Sequence, residues 1–533
     1  MLVGSRSPVI ECRAVVAAIN TMIQIRRLAG RATAWLIVAA AASFYFIWSH
    51  TDQIGLVTGD ASSYLMMAET YAHAGRDQVM ADAASASRFP PLYPLLLARL
   101  GGAENLPWAH AITTTCLLLA LAILFFWMRR EGLGTVPAGL LVLATAAVPD
   151  VWLAALTIQS EYLYILLSLA ALAILARHEN DPRTEPLFLA ALLVALAILT
   201  RSAGIALLVP LLASLRRRSW RERLLAGLLT LAPLLLWHSL HHAGHGYFSS
   251  VRESLAYRVT TDPAGFISQQ FFGLRHGLQI ALLLQPQWLN PLVDILGVVC
   301  LLATAVRCAT LQPDALYVAA YLLMLLLWPY PGDAHRLLWP VFPVLFVQPA
   351  LAFASGPWRE RRIPVLVATM VATLALPSIL LAVDRYRDPA TESLPKIRAD
   401  PLWYWPQRDT ALRFAAAEAT LLQALQKLPR FVGENECVLS TRPEWVNFFS
   451  RRRSEGPPPA GAPDSALAAS LKTCSLVFMT PFNDRGYPDP MYPLARLGMD
   501  VEVLDYTYSA DPAESGKRIE FLLVRTGSRS VGQ

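Results

Sequence analysis

About eleven long apolar runs dominate the chain and decide what it can fold into. A helix that crosses a bilayer needs about 20 apolar residues, because each residue adds only about 1.5 Å of length. We therefore expect a polytopic α-helical membrane protein with about eleven transmembrane helices. The runs lie at roughly 33–49, 109–128, 134–149, 160–176, 186–200, 203–215, 223–241, 289–306, 314–330, 336–354 and 363–383.

The composition agrees with this class and excludes others. Only 16% of the 533 residues are charged, whereas soluble chains have about 25%. The net charge of +6 is not a nucleic-acid signal, because no basic patch with interleaved aromatic residues accompanies it. Six cysteines in a chain of this length and hydrophobicity do not form a disulfide scaffold. The expected environment is the lipid bilayer.

The arginines predict which side each loop faces. Cytoplasmic loops are enriched in Lys and Arg, and arginines concentrate in alternate loops of this chain. They are Arg129-Arg130, Arg177 with Arg183, Arg216 to Arg218 with Arg221 and Arg223, Arg307, and Arg359 with Arg361-Arg362. We therefore expect a cytoplasmic segment at 1–32 and a membrane module at 33–384. A large first loop at 50–108 and a loop at 242–288 would then lie outside.

The last part of the chain has a different pattern. From Asp384 the hydrophobicity falls and short alternating stretches predict strands near 436–440, 475–479, 501–504 and 519–524. Helical patterns lie at 409–428 and 463–472. We expect a small α/β extracytoplasmic domain at 385–533. Two of its cysteines, Cys437 and Cys474, can either form a disulfide or be small buried hydrophobic residues.

The first outer loop contains two candidate segments. Asp60 precedes a helical stretch, so it is either a helix N-cap or a catalytic carboxylate at the lipid–water boundary. A proline-rich segment, Arg88 to Pro94, comes directly before the next block of apolar runs. Its Arg88 and Tyr93 are candidate substrate-binding residues.

Other candidates are charged residues at the ends of apolar runs. Glu161 opens a long run, and a carboxylate there is either a helix-start residue or a functional group. Arg201 separates two short runs, where it can snorkel to the interface or bind a ligand. His335 and Arg336 belong to a short loop that either anchors to the membrane or captures phosphate. All of these residues are expected on the outer side, together with Asp60.

Metal and nucleotide chemistry have little support. His241, His242 and His245 have no Cys or carboxylate partner at a recognised zinc spacing. The chain has no Walker loop, dinucleotide-binding Gly-rich turn or Gly-x-Ser-x-Gly motif. We expect no metal ligand set and no certain cofactor, and the use of a divalent cation stays open.

The order of these segments resembles the GT-C glycosyltransferases, in the bacterial branch of protein mannosyltransferases and the lipid A aminoarabinose transferase. The resemblance covers about residues 30–385. The segments that carry it are Asp60, Arg88-Phe89-Pro90-Pro91-Leu92-Tyr93-Pro94, Ser160-Glu161, Leu199-Thr200-Arg201 and Arg336-Leu337-Leu338-Trp339-Pro340.

The resemblance implies a glycosyltransferase, of the hexosyl type, that uses a polyprenyl-phosphate sugar. The sugar would pass, with inversion, to a lipid, glycan or protein acceptor on the outer face of the cytoplasmic membrane. Asp60 would be the base, and Arg201 and Arg336 would face the lipid phosphate. Many relatives have Asp-Glu where this chain has Asp60-Ala61, so a second acidic contact there is not expected. A flippase for a lipid-linked sugar, or a lipid-linked glycan polymerase or ligase, is the alternative.

Overall fold

Helices form most of the part of the chain that the computed structural model describes. The described residues are 39, 42–51, 54, 60–85, 87, 89–178, 183–216, 218–240, 247–283, 287–329, 334–352, 362–387, 407–458, 462–480, 500–510 and 517–526. Segment 1–32, Arg88 and the three histidines of the zinc hypothesis lie outside them.

A helical stretch at 42–49 precedes the helices that we number. These are α1 Asp60–His73, α2 Gln78–Ser85, α3 Leu92–Arg99, α4 Leu106–Arg130, α5 Thr135–Ala146, α6 Pro149–Leu153, α7 Glu161–His178, α8 Glu185–Thr200, α9 Leu208–Leu215, α10 Trp220–Leu240, α11 Tyr247–Thr261, α12 Pro263–Leu282, α13 Asn290–Ala309, α14 Pro313–Leu326, α15 Ala334–Leu338, α16 Phe342–Leu345, α17 Gln348–Ala352, α18 Arg362–Arg387, α19 Arg408–Lys427, α20 Pro443–Ser450 and α21 Asp464–Thr473. Single 3₁₀ turns lie at Ala154–Leu156, Ser202–Leu207, Gln287–Leu289, Trp339–Val341 and Leu428–Arg430.

The core of the helical module is built around α7. This helix packs against both α4 and α8, and Tyr164, Leu172 and Leu175 on it are fully buried. The start of α4 is stabilised by Asn105, whose side chain accepts a hydrogen bond from the Trp108 backbone N–H at 3.0 Å. The outer surfaces of α10, α12 and α13 expose large apolar side chains, as expected of lipid-facing helices. The architecture is that of a helical membrane protein.

The predicted count of about eleven transmembrane helices is not confirmed. Among the described residues, Leu106–Arg130 and Gln287–Ala309 are long and apolar enough to cross a bilayer. Thr135–Ala146 and Pro149–Leu156, which meet at a bend of 70°, would make a third crossing. Other apolar runs form shorter helices, including Glu185–Thr200 and Pro313–Leu326.

The apolar run at 336–354 forms several short helical pieces instead of one span. It is divided into α15, a 3₁₀ turn, α16 and α17. Pro340, Pro343 and Pro349 explain the division, because proline has no N–H for the helical hydrogen bond and its ring clashes with the preceding turn. This segment nonetheless remains buried, with Trp339, Phe342 and Phe346 almost fully enclosed.

The loop expected at 242–288 is largely helical. It contains α11 and the 20-residue α12. Gln269, Gln270, Arg275 and His276 interrupt the apolar pattern of α12, which is why a hydropathy criterion passes over it. The loop expected at 50–108 likewise contains α1, α2 and α3.

The C-terminal region forms the expected small α/β unit. Its five strands are β1 Cys437–Ser440, β2 Arg453–Glu455, β3 Leu476–Met479, β4 Val501–Ala510 and β5 Lys517–Thr526. The sheet order is β2-β1-β3-β5-β4. Strands β1, β2 and β3 are parallel, whereas β5 is antiparallel to both β3 and β4.

Four of the five strands and two of the three helices, α19 and α21, match the predicted positions, and α20 was not predicted. The strand that was not predicted, β2, is only three residues long and all three are polar, so it has no alternating pattern. Cys437, at the start of β1, and Cys474, directly before β3, form a disulfide with their Cα atoms 4.5 Å apart. The structure thus selects the disulfide over two separate buried thiols.

Candidate active site

The helix that begins at Asp60 carries the first candidate residue. Helix α1 buries Ala61, Tyr64 and Leu65 against the helical module, and this packing fixes the position of its first turn. The Asp60 carboxylate is 15% exposed and pairs with the Arg336 guanidinium. Asp60 therefore has a charged partner from a segment 276 residues further along the chain.

Glu161 occupies the start of α7 and is fully buried. Its Oε1 lies 2.5 Å from Nη1 of Arg201. The same Arg201 nitrogen lies 3.3 Å from Oγ of Ser160, and this hydroxyl is 2.8 Å from the Tyr64 hydroxyl. Ser160 thus connects Arg201 to α1. A buried carboxylate is strongly unfavourable without such a cationic partner.

A sharp backbone turn places Arg201 at this position. Helix α8 ends at Thr200, Arg201 is extended with φ −150° and ψ 138°, and a 3₁₀ turn follows at once. The turn folds back onto α8 so closely that a Cβ on Gly204 would lie 2.6 Å from the Ile198 backbone nitrogen. Only glycine permits this approach. The sequence analysis missed Gly204, and its place three residues after the break in the apolar run is the available signal.

Arg336 lies on α15, which a second glycine brings into place. A Cβ on Gly277 of α12 would lie 2.7 Å from the His335 backbone nitrogen, so α12 and α15 pack with their backbones in close contact. Besides Asp60, Arg336 reaches Glu161, with Nη2 3.6 Å from Oε1. The Arg336 side chain is 27% exposed.

These contacts join Asp60, Arg336, Glu161 and Arg201 into one chain of alternating charge, which we call the four-charge cluster. Two carboxylates and two guanidinium groups balance, so no net charge is buried. Glu161 is central because it approaches both arginines. Neither of its oxygens accepts a well-aligned hydrogen bond from the described residues. The cluster is neutral but not saturated with hydrogen bonds, and its arginines keep donors for an anionic ligand.

Three buried tyrosines lie behind the arginines. The Tyr164 and Tyr317 hydroxyls are 3.0 Å apart, and the Tyr164 hydroxyl is 3.4 Å from the Ala203 carbonyl oxygen in the Arg201 turn. The Tyr321 hydroxyl donates to the carbonyl oxygen of Leu337 at 2.8 Å, next to Arg336. Sequence analysis did not identify this tyrosine group, because each member lies inside an ordinary apolar run.

Two other predicted site residues lie beside the four-charge cluster. Tyr93 is fully buried, and its hydroxyl is 2.7 Å from Oγ1 of Thr113. Its ring meets the Tyr64 ring edge-on, with centroids 5.1 Å apart, so Tyr93 supports α1 from behind. His335 is partly buried and its backbone is the contact point for Gly277.

One group among the described residues has a metal-like spacing. It consists of Cys437, Glu455 and Cys474. Both thiols are already joined in the disulfide, so they cannot supply the thiolates that a metal requires. The divalent cation that the sequence leaves open, without a site, stays untested.

Structural comparison defines the fold. Two crystal structures of ArnT from Cupriavidus metallidurans, one bound to undecaprenyl phosphate and one in the apo state, are similar to this chain. They share 14% and 13% sequence identity with it, with TM-scores of 0.51 and 0.50. Each alignment covers 93% of this chain and 98% of the ArnT chain. By sequence, no family profile and no curated protein matches.

ArnT is a GT-C aminoarabinose transferase. The chain therefore shares the overall fold of ArnT, a helical module with a small sheet domain attached, which agrees with the sequence resemblance. At 14% identity the likeness establishes the fold, and the chemistry has to be argued from the four-charge cluster itself.

Proposed function

We propose that the protein transfers a sugar from a polyprenyl-phosphate donor to an acceptor hydroxyl on the outer face of the membrane, with inversion at the anomeric carbon. The observation that carries this proposal is the four-charge cluster. It combines a partly exposed carboxylate with two guanidinium groups, which is the set of groups that such a displacement needs. The undecaprenyl phosphate bound by ArnT, on the same fold, supports a polyprenyl-phosphate ligand.

In the proposed reaction the acceptor oxygen forms a bond to the anomeric carbon while the bond from that carbon to the phosphate oxygen breaks. Asp60 takes the proton of the acceptor hydroxyl as general base. The electron pair of the broken bond stays on the polyprenyl phosphate, which leaves as an anion and needs no proton. Arg201 and Arg336 stabilise the leaving phosphate by charge-assisted hydrogen bonds.

The contact between Asp60 and Arg336 suggests that the donor, besides supplying the sugar, also releases the base from its partner. Arg336 pairs with the Asp60 carboxylate, and this contact occupies the oxygen that would accept the proton of the acceptor hydroxyl. A donor phosphate that draws Arg336 away would free the carboxylate to accept that proton. Base activation would thus follow donor binding.

The outer-face location is part of the proposal. It is supported by the arginine distribution and by the Cys437–Cys474 disulfide, since disulfides persist in oxidising compartments. A cysteine introduced at the exposed position Glu434 would test it. We expect an impermeant thiol reagent to label Glu434→Cys in intact spheroplasts. Labelling only after lysis would reverse the orientation.

The activity is tested with purified protein in proteoliposomes and a panel of radiolabelled polyprenyl-phosphate sugars. We expect label to move to an acceptor from an envelope extract, with release of polyprenyl phosphate, and Asp60→Asn to serve as the inactive control. A flippase would instead move the intact donor across the bilayer without releasing phosphate. That outcome would reject the transferase.

A further inference from the structure

The C-terminal α/β unit makes a specific charged contact with the helix that carries Asp60. Helix α20 packs against α1 and α2. Directly after α20, Nη1 of Arg451 lies 2.7 Å from Oε1 of Glu69 on α1 and 3.7 Å from Oδ2 of Asp77, which precedes α2. One guanidinium therefore joins the C-terminal unit to two helices of the first outer loop.

The backbone at Arg451 is unusual for this residue type. Arg451 has φ +54° and ψ +32°, in the left-handed region that ends many helices and strongly favours glycine. An arginine here carries backbone strain that a glycine would not. The side chain of Arg451 is 43% exposed, and an exposed ion pair contributes little to stability. Stability alone therefore does not explain an arginine at this position.

The surroundings of Arg451 hold it in place. Its guanidinium carbon lies 5.8 Å from the centre of the Phe448 ring, within the range of a cation–π contact. Phe448 and Phe449 of α20 pack on the apolar core of the helical module, although they belong to the C-terminal unit. Ala411 and Ala415 of α19 are buried in that same core. The C-terminal unit thus rests against the module that holds the active site.

Helix α1 is attached at three points along its length, with Glu69 on the face opposite Asp60. Asp60 pairs with Arg336, the Tyr64 hydroxyl is 2.8 Å from Ser160, and Glu69 pairs with Arg451. The first two contacts lie in the helical module, and the third comes from the C-terminal unit. Glu69 is nine residues after Asp60 on the same helix, which is roughly 13 Å at 1.5 Å per residue. A short helix transmits a tilt at one end to the other.

We propose that Arg451 is a positioning residue that holds α1, and hence the Asp60 carboxylate, at the angle required for base catalysis. The C-terminal unit would then act as part of the active-site scaffold. This inference rests on the proposed function for its kinetic consequence, but the attachment of α1 by Arg451 can be tested without any substrate.

The first test measures hydrogen exchange in the intact protein in proteoliposomes. We expect Arg451→Gly, which removes the charge and relieves the strained backbone, to speed amide exchange across residues 60–73 while the β1–β3 strands exchange as before. Arg453→Ala is the matched control, because its one ion pair among the described residues is with Glu455 in the same strand, at 2.6 Å. Unchanged exchange in α1 would overturn the proposal, whether or not the protein proves to be a transferase.

The second test is kinetic, with the polyprenyl-phosphate sugar that the panel identifies. We expect Arg451→Gly and Glu69→Arg each to lower kcat by roughly 3- to 30-fold, the range seen for residues coupled to a site at a distance. The donor KM should stay within about twofold, because the two phosphate-facing arginines are untouched. The exchanged pair Arg451→Glu with Glu69→Arg should recover most of the lost rate.

The two tests separate the possible failures. Faster exchange in α1 without a detectable transfer reaction would refute the proposed function and leave the attachment intact. Normal exchange with a normal kcat in Arg451→Gly would refute the positioning role itself. Failure of the exchanged pair to recover the rate would show that the charge pairing is not the cause.

Discussion

The described part of the chain contains two groups in which arginine meets a buried carboxylate, and they differ in how completely the carboxylate is hydrogen-bonded. In the first, Asp314 receives a bidentate contact from Arg307, with Nη2 2.8 Å from Oδ1 and Nε 3.2 Å from Oδ2, and a third bond from the Gln348 amide at 2.8 Å. We call these three residues the Asp314 cluster. The second is the four-charge cluster.

The difference indicates different roles. Asp314 is 1% exposed and both of its oxygens are engaged, so this carboxylate joins the ends of α13 and α14 to α17. Glu161 is as deeply buried, yet neither of its oxygens accepts a well-aligned bond among the described residues. A carboxylate whose oxygens all accept hydrogen bonds is typical of a structural ion pair. A carboxylate with unused acceptors, next to the partly exposed Asp60 and Arg336, suits a binding site.

The largest expected effect is that of Asp60→Asn. The amide keeps the size of the side chain but cannot accept a proton, so turnover should fall by about 100-fold or more. Donor binding and thermal stability should change little. The measurement is single-turnover transfer with a saturating donor. Turnover like that of the unaltered protein would show that Asp60 is a helix cap or structural partner, and the contrast between the clusters would lose its basis.

Asp314→Asn should show the opposite pattern. It leaves the Arg307 guanidinium buried without a full counter-charge, which costs about 3 kcal/mol or more in buried ion pairs. We expect a large loss of thermal stability in detergent and a normal rate for the molecules that remain folded. A rate loss larger than the loss of folded protein would mean that the Asp314 cluster also takes part in catalysis.

The next largest effect concerns Arg201 and Arg336, whose planar guanidinium groups are proposed to contact the donor phosphate. Arg201→Lys and Arg336→Lys keep the charge but lose the planar, two-pronged contact. We expect each to raise the donor KM by roughly 10- to 50-fold, the equivalent of losing one charge-assisted hydrogen bond. Arg307→Lys is the matched control and should alter stability without altering the donor KM. Arginines that only snorkel would tolerate lysine with no such rise.

Four of the charged residues that the sequence singles out meet in the structure, and their roles stay predictions. Asp60, Glu161, Arg201 and Arg336 each interrupt or border an apolar run, and a charge at such a place is conspicuous because it is costly in lipid. Their expected location on one side already suggested that they meet. The structure brings all four into one contact chain.

The residues that build the site's geometry could not be found in this way. Gly204 and Gly277 matter because of backbone distances that no sequence pattern records. A similar limit explains the two errors in the predicted helices. Helix α12 was not predicted because its polar residues lower the average hydropathy of the segment. The run at 336–354 was wrongly predicted to be one helix because average hydropathy ignores its three prolines.

The smallest expected effect tests the tyrosines that support the arginines. Tyr321→Phe removes one hydrogen bond, from the hydroxyl to the Leu337 carbonyl beside Arg336. Such a bond contributes about 1 kcal/mol, so the donor KM should rise by roughly 2- to 10-fold as Arg336 loses part of its support. Tyr317→Phe is the control, because its hydroxyl contacts Tyr164 and neither arginine segment directly. Equal effects of the two substitutions would assign the loss to general packing.

A rise confined to Tyr321→Phe would show that the four-charge cluster, although incompletely bonded within itself, is held rigid by neutral residues behind it. The two buried clusters would then share rigidity and differ only in whether a ligand completes the bonding.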